Sequence, residues 1–304
     1  MTSSAAPTLL SPRILIPFII VTLIWGSTWL VIRDQLGTVP ESWSVTYRFG
    51  LATVAMFVLV LVRRESLWLP PKLHLFAAAI GIPQFMLNFN FVYRSEQYLT
   101  SGVVAVIFAL LIVPNTILSR AFLKTPVERK FLAGGSIAII GVGMLLAHEA
   151  GAIRADFATV ALGAALTLAG VLSASAANVM QATPMARAQS VFVLVAWAML
   201  WGSLADAAFA YATVGPPVFD MRWSYFLGIG YLALFGTVLC FPLYFGIIRA
   251  VGAGPAAWSS VLVPVIAMGL STLFEGYVWS GLSIGGSVLV LAGLVVALRP
   301  KRAA

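Results

Sequence analysis

Charge is scarce in this chain. Of its 304 residues, 9% are Asp, Glu, Lys or Arg and 61% are apolar, whereas an ordinary globular domain carries about 25% and roughly 45–50% respectively. So few charges cannot cover a water-facing surface of this size. A mean hydropathy of +1.00 points to lipid as the solvent for most of the surface. Cysteine occurs once, at Cys240, which excludes an internal disulfide and a cysteine-based metal site. The two histidines, His74 and His148, lie far apart and form no HExxH pair, so no metal and no cofactor is expected. There is no GxxxxGK[ST] and no lysine that follows a glycine, which excludes a P-loop for ATP. A TVGYG filter is also lacking, so a potassium-type pore is not indicated, and the two distant histidines offer no Ser–His pairing for a serine hydrolase.

What the chain does have is long apolar runs. Its charge-free stretches predict ten helices at about 14–32, 42–62, 74–93, 100–121, 130–147, 158–182, 188–211, 224–246, 254–274 and 280–298, each near the 20 residues that cross a bilayer. The runs are continuously apolar, not alternating, so they are not barrel strands. No basic start and small-residue cleavage site marks a signal peptide at the N-terminus. If the ten helices alternate across the membrane, the side holding the N-terminus carries 13 Lys and Arg and the other side 5. Short cytoplasmic loops hold the positive excess, so both termini are expected in the cytoplasm. The formal charge of +8 is then a topology signal with some attraction to anionic lipid. No basic face with interleaved aromatics lies outside the predicted spans, so no nucleic acid is expected.

The pattern repeats. Gly134-Gly135-Ser136 followed by Gly141 and Gly143 in the fifth helix corresponds to Gly285-Gly286-Ser287 followed by Gly293 in the tenth. Pro114 in the fourth helix corresponds to Pro264 in the ninth at nearly the same offset. The unit is five helices. Five is odd, so the second copy enters the membrane from the opposite side, the inverted-repeat plan of many secondary transporters. The expected fold is an all-α integral membrane bundle of ten transmembrane helices in two inverted-topology five-helix repeats. Residues 1–12 form a short cytoplasmic tail, 13–148 the first repeat, 149–157 an external linker, 158–298 the second repeat and 299–304 a basic cytoplasmic tail.

A family resemblance runs through these elements. The chain has Ile24-Trp25-Gly26-Ser27, Tyr47-Arg48-Phe49, Tyr231-Leu232-Ala233-Leu234-Phe235-Gly236-Thr237, Gly252-Ala253-Gly254, Leu262-Val263-Pro264-Val265, Leu273-Phe274-Glu275 and the glycine-rich tenth helix. In order and spacing these resemble the EamA-type branch of the drug/metabolite transporter superfamily. The resemblance implies a ten-helix exporter of small metabolites such as amino acids. The first half departs from the family pattern, with Lys124 near where that pattern repeats its Leu-Phe-x-Gly-Glu. The role of that acidic residue therefore does not carry over to both halves.

Candidate site residues follow from what lipid penalises. Pro83, Pro114, Pro242 and Pro264 fall inside predicted spans. Each removes a backbone donor and pushes off the carbonyl four residues earlier, which a neighbour, a water or a ligand must satisfy. They are the candidate hinges. Gln84 and Asn88 share a helix face beside Pro83, and Asn115 follows Pro114. Each either lines a wet cavity or makes a helix–helix hydrogen bond. Trp25, Tyr244 and Trp258 sit deeper than interfacial anchors usually do. The substrate-binding candidates are thus Trp25, Gln84, Asn88, Asn115, Tyr244 and Trp258. Asn90 points elsewhere, toward Arg94, while Asn178, Gln181 and Asp206 are expected at the membrane interface. Arg48, two turns into the second helix, reads first as a structural cation held by a carbonyl or by Glu275. It and Glu275 are the candidates for a gate or a coupling site.

The expectation is a secondary-active exporter of a neutral or zwitterionic metabolite, working by alternating access in a bacterial inner membrane. Its partners are the small-molecule substrate and the bilayer, with a homodimer left open. A passive pore or facilitator is the first alternative and an intramembrane enzyme the second. The charge asymmetry has a direct check. In a Cys240→Ala background, cysteines placed by Leu67→Cys and Pro126→Cys should react with an impermeant thiol reagent only from the cytoplasm, and those placed by Thr38→Cys and Ala152→Cys only from outside. The reverse pattern contradicts the orientation.

Overall fold

The computed structural model describes residues 11–125, 129–152, 157–251, 256 and 259–298. Trp258, the Gly252-Ala253-Gly254 motif and the basic C-terminal tail lie outside them. Every regular element among the described residues is helical. We number the main helices α1 Pro12–Asp34, α2 Glu41–Val62, α3 Pro71–Ser95, α4 Ser101–Leu123, α5 Arg129–Ala152, α6 Phe157–Gln181, α7 Val191–Val214, α8 Trp223–Val251, α9 Ser259–Phe274 and α10 Gly281–Leu298. A single turn, Pro184–Arg187, joins α6 to α7.

By length and composition seven of these can cross a membrane: α1 to α4 and α6 to α8. The other three carry shorter apolar stretches, Ala133–His148, Leu262–Phe274 and Gly281–Gly293. Proline sets several starts. Pro12 and Pro71 occupy first-turn positions of α1 and α3, where the missing donor would have had no partner.

Three helices are not α-helical throughout. In α3 an 11-residue α segment, Pro71–Gly81, gives way to a six-residue π turn, Ile82–Leu87. In α8 an 11-residue α segment, Trp223–Ala233, gives way to a six-residue π turn, Leu234–Leu239. The same interruption thus recurs in the third helix of each half. In α4 a 3-10 turn, Ala109–Leu111, precedes Pro114. Pro83 lies within the first wide turn, and Pro242 follows the second. Pro264 differs, because α9 stays α-helical across it.

Packing comes in matched pairs. Helix α2 lies along α7, and α5 lies along α10. Contacts of α1 with α9 and α8 mirror those of α6 with α4 and α3. Two of these approaches depend on glycine. A Cβ on Gly81 of α3 would sit 1.9 Å from the Ala198 carbonyl oxygen of α7, and one on Gly141 of α5 would sit 2.5 Å from the Gly286 carbonyl oxygen of α10. The glycine motifs of the fifth and tenth helices therefore face one another, and each lets the other's backbone close in.

Candidate functional site: a cavity between the two halves

Between the helices lies a cavity that is open at its mouth, with about 780 Å³ of space between the atoms when the open solvent at the mouth is included. Both halves wall it. From the first half come Trp25, Thr28, Trp29 and Ile32 of α1, Arg48 of α2, Gln84, Asn88, Phe89 and Val92 of α3, and Phe108 and Leu111 of α4. The second half contributes Ala174 and Asn178 of α6, Phe241 and Tyr244 of α8, and Ser259, Val263 and Pro264 of α9.

Local backbone breaks position this wall. In the α8 π turn, the Cys240 amide turns to Phe235 and Thr237 and so leaves the Gly236 carbonyl without its α-helical donor. The Trp25 indole donates to that carbonyl at 3.0 Å, which fixes α1 against α8. Aromatic edges then pack around Trp25, with ring centroids 5.4 Å from Phe241 and 4.9 Å from Tyr244. Trp29 meets Phe108 at 5.4 Å. In the α3 π turn, Asn88 donates to the Gln84 carbonyl at 3.4 Å and Asn90 to the Met86 carbonyl at 2.9 Å. Gln84 Oε1 and Asn88 Oδ1 are buried with no hydrogen-bond partner among the described residues. They remain able to accept from a bound solute.

The sequence candidates divide on this geometry. Trp25, Gln84, Asn88, Tyr244 and Pro264 share the cavity wall, and Arg48 joins them. Asn115 is buried but lies one turn beyond Leu111, the last α4 residue in the wall. Pro83, Pro114 and Pro242 are not among the lining residues. The expected pairing of Arg48 with Glu275 does not occur. Glu275, at the end of α9, is 3.8 Å from Arg33 Nε and accepts from Ser101 Oγ at 2.6 Å. Arg48 reaches instead to the α8 π turn, where Nε donates to Thr237 Oγ1 at 3.2 Å.

Four further residues differ from expectation. Asn178, expected at an interface, lines the cavity. It follows Gly170 and Ala174 at four-residue steps, a small-residue face ending in an amide. Gln181 is buried and accepts from Arg249 Nη2 at 3.0 Å. Asp206 is fully buried. It accepts from Asn90 Nδ2 at 2.5 Å and from Thr46 Oγ1 at 2.8 Å, so Asn90 serves Asp206 instead of stacking with Arg94. Glu96 went unnoticed in the sequence because it follows Arg94 and Ser95 at a helix end and reads as solvated. In the structure it is fully buried, and the Arg33 guanidinium donates to its carbonyl. Burial, with Glu275 nearby and Arg33 opposing, pushes its carboxyl well above the usual range.

Comparison with known proteins decides what kind of site this is. Residues 13–147 and 161–299 each match the EamA-like transporter family. The chain belongs to that family. One match falls on each half of the cavity wall. Among relatives, the protein PagO of Salmonella typhimurium is 28% identical over 283 residues, covering 92% of this chain and 90% of its own. The Escherichia coli protein named "uncharacterized inner membrane transporter YedA" is 28% identical over 282 residues, covering 91% and 88%. A Salmonella typhimurium protein named "probable amino-acid metabolite efflux pump" is 25% identical over 288 residues, covering 91% and 92%. A crystal structure 17% identical in sequence shares the fold at a TM-score of 0.70, covering 93% of this chain and 96% of that one. The EamA chain is thus a membrane transporter of drug/metabolite type.

The two amides of α3 should separate on substitution. Asn90→Leu strips a donor from buried Asp206 and should cost about 1–3 kcal/mol of stability, read as a lower melting temperature of the detergent-purified chain. Asn88→Leu replaces an amide held by one long local bond, so its melting temperature should equal or exceed the wild type. A larger loss for Asn88→Leu would reverse the assignment of the two faces.

Proposed function

We propose that this chain is a ten-span carrier that exports a small metabolite, such as an amino acid or a related amphipathic compound, across a bacterial inner membrane. The proposed halves are residues 13–148 and 158–298, joined by an external linker at 149–157. Each holds five spans, and the odd number inverts the second half relative to the first. Both termini then lie in the cytoplasm, in keeping with the Lys and Arg distribution.

The observation that carries this reading is a cavity walled by both halves of a two-unit transporter chain. Paired interrupted helices around a central site are the architecture of alternating access. The equivalent π turns of α3 and α8 support that comparison. Pro83, Pro114 and Pro242, at or near the non-α turns, and Pro264 in α9 are the proposed hinges, since helices bend at prolines and at π turns. The amide oxygens of Gln84 and Asn88 give the solute acceptors, and Trp25 and Tyr244 give it an aromatic surface. Glu275 is proposed for the outer gate, where it holds the ends of α1 and α4 together. The efflux-pump name of one relative agrees with the direction.

Overproduction in a bacterial host should raise the extracellular level of one or a few metabolites in a mass-spectrometric panel of amino acids and related compounds. Trp25→Ala with Tyr244→Ala, at equal membrane abundance, should abolish that rise. An undiminished rise in the double variant would remove the cavity from the path. Counterflow into preloaded vesicles should then accelerate uptake, whereas a pore would show no such exchange.

A further inference from the structure

Arg48 is the one charged residue in the cavity wall among the described residues. It lies two turns inside α2 and is 1% exposed. Its guanidinium centre is 4.3 Å from the centroid of the Phe89 ring and 5.0 Å from that of Phe49. Nε donates to a threonine hydroxyl, and the phenol of Tyr93 is a further polar neighbour. No Asp or Glu forms an ion pair with it among the described residues, and its Nη1 has no hydrogen-bond partner there.

This arrangement is costly as a purely structural device. A buried guanidinium brings five N–H donors, and rings and hydroxyls do not supply a counter-charge. Burial among the Phe49 and Phe89 rings gives it surroundings of lower dielectric than water, so a negative group brought against it is attracted more strongly than in water. The planar fork matches a carboxylate with two parallel hydrogen bonds. Lining carboxylates that would compete for it are absent from the described wall. Apart from Thr28, Gln84, Asn88, Asn178 and Ser259, the rest of the wall is apolar and aromatic.

We propose that Arg48 binds the carboxylate of the transported solute, and that the solute is a small monocarboxylate with an apolar or aromatic body. This deepens the carrier reading above and rests on it. The carboxylate would sit at the α2 side of the cavity. The body would lie among Trp25, Trp29, Phe108, Phe241 and Tyr244. The Gln84 and Asn88 oxygens would accept from an ammonium or hydroxyl group where the solute carries one. Arg48 is then a specificity residue, not a gate.

The test uses two probes of the same shape, 3-phenylpropionate and 3-phenylpropionamide, titrated against the purified full-length chain. Binding is read from tryptophan emission, since Trp25 and Trp29 line the cavity. The acid should bind at least about tenfold tighter than the amide, the scale of a hydrogen-bonded charge pair. In Arg48→Gln that preference should fall to about one, with Arg48→Lys in between, because lysine keeps the charge but loses the fork. Equal binding of acid and amide by the wild type overturns the carboxylate assignment and leaves the cavity as a solute site. Binding of neither probe overturns both. A retained acid preference in Arg48→Gln assigns the carboxylate elsewhere and overturns the proposal. If Arg48→Gln does not fold, the wild-type comparison decides alone.

Discussion

A helix in lipid must satisfy its own backbone, because the hydrocarbon offers no hydrogen-bond partner. Most of what distinguishes this molecule follows from the places where that rule is strained. The π turns of α3 and α8 take carbonyls out of the α-helical ladder, and side chains are recruited to cover them. Trp25 covers Gly236, and Asn88 covers Gln84. Covering Gly236 brings α1 onto α8 and sets an indole at the cavity. Just past the α3 π turn, Asn90 donates both to the Met86 carbonyl and to Asp206 and so ties α3 to α7. A wall for a solute thus forms as a consequence of backbone accounting in a medium without water.

Polarity in the interior follows the same logic. Each buried polar residue that structure explains has a partner on another helix: Asp206 with Thr46 and Asn90, Gln181 with Arg249, Ser44 with Tyr225 at 2.8 Å. Unpartnered buried atoms occur away from the cavity, such as Gln35 Nε2, Ser42 Oγ and Gln181 Nε2, and also on its wall. Arg48 Nη1, Gln84 Oε1, Asn88 Oδ1 and Trp29 Nε1 have no partner among the described residues. What sets the wall atoms apart is that they face a space a solute can enter.

That distinction sets how much was legible in the sequence. The helical stretches were, because continuous apolar runs admit little else, and their predicted ends fall within a few residues of those described. The repeat showed in glycine and proline spacing, which records close approach and helix breaking directly. Proline located the breaks near Pro83, Pro114 and Pro242 but not their kind. At Pro264, α9 keeps α geometry across the residue. Trp25, Gln84, Asn88 and Tyr244 could be singled out as polar or amphipathic groups deep in apolar runs. Asn178, Asp206 and Glu96 could not be placed, since each lies toward a helix end where a sequence reads as solvated. Only the packing of neighbouring helices buries them. The pairing of Glu275 with Arg33, not Arg48, likewise depends on which helix ends meet.

The central claim is that one cavity between two halves opens to each side of the membrane in turn. Asn88 lines that cavity, and Asn88→Cys in a Cys240→Ala background makes it a reporter. The decisive measurement is its rate of modification by an impermeant thiol reagent in right-side-out and inside-out vesicles, with and without an exported solute. Alternating access requires modification from both sides, and solute on one side should change the two rates in opposite directions. Modification from a single side only, or two rates that rise and fall together, would contradict the account.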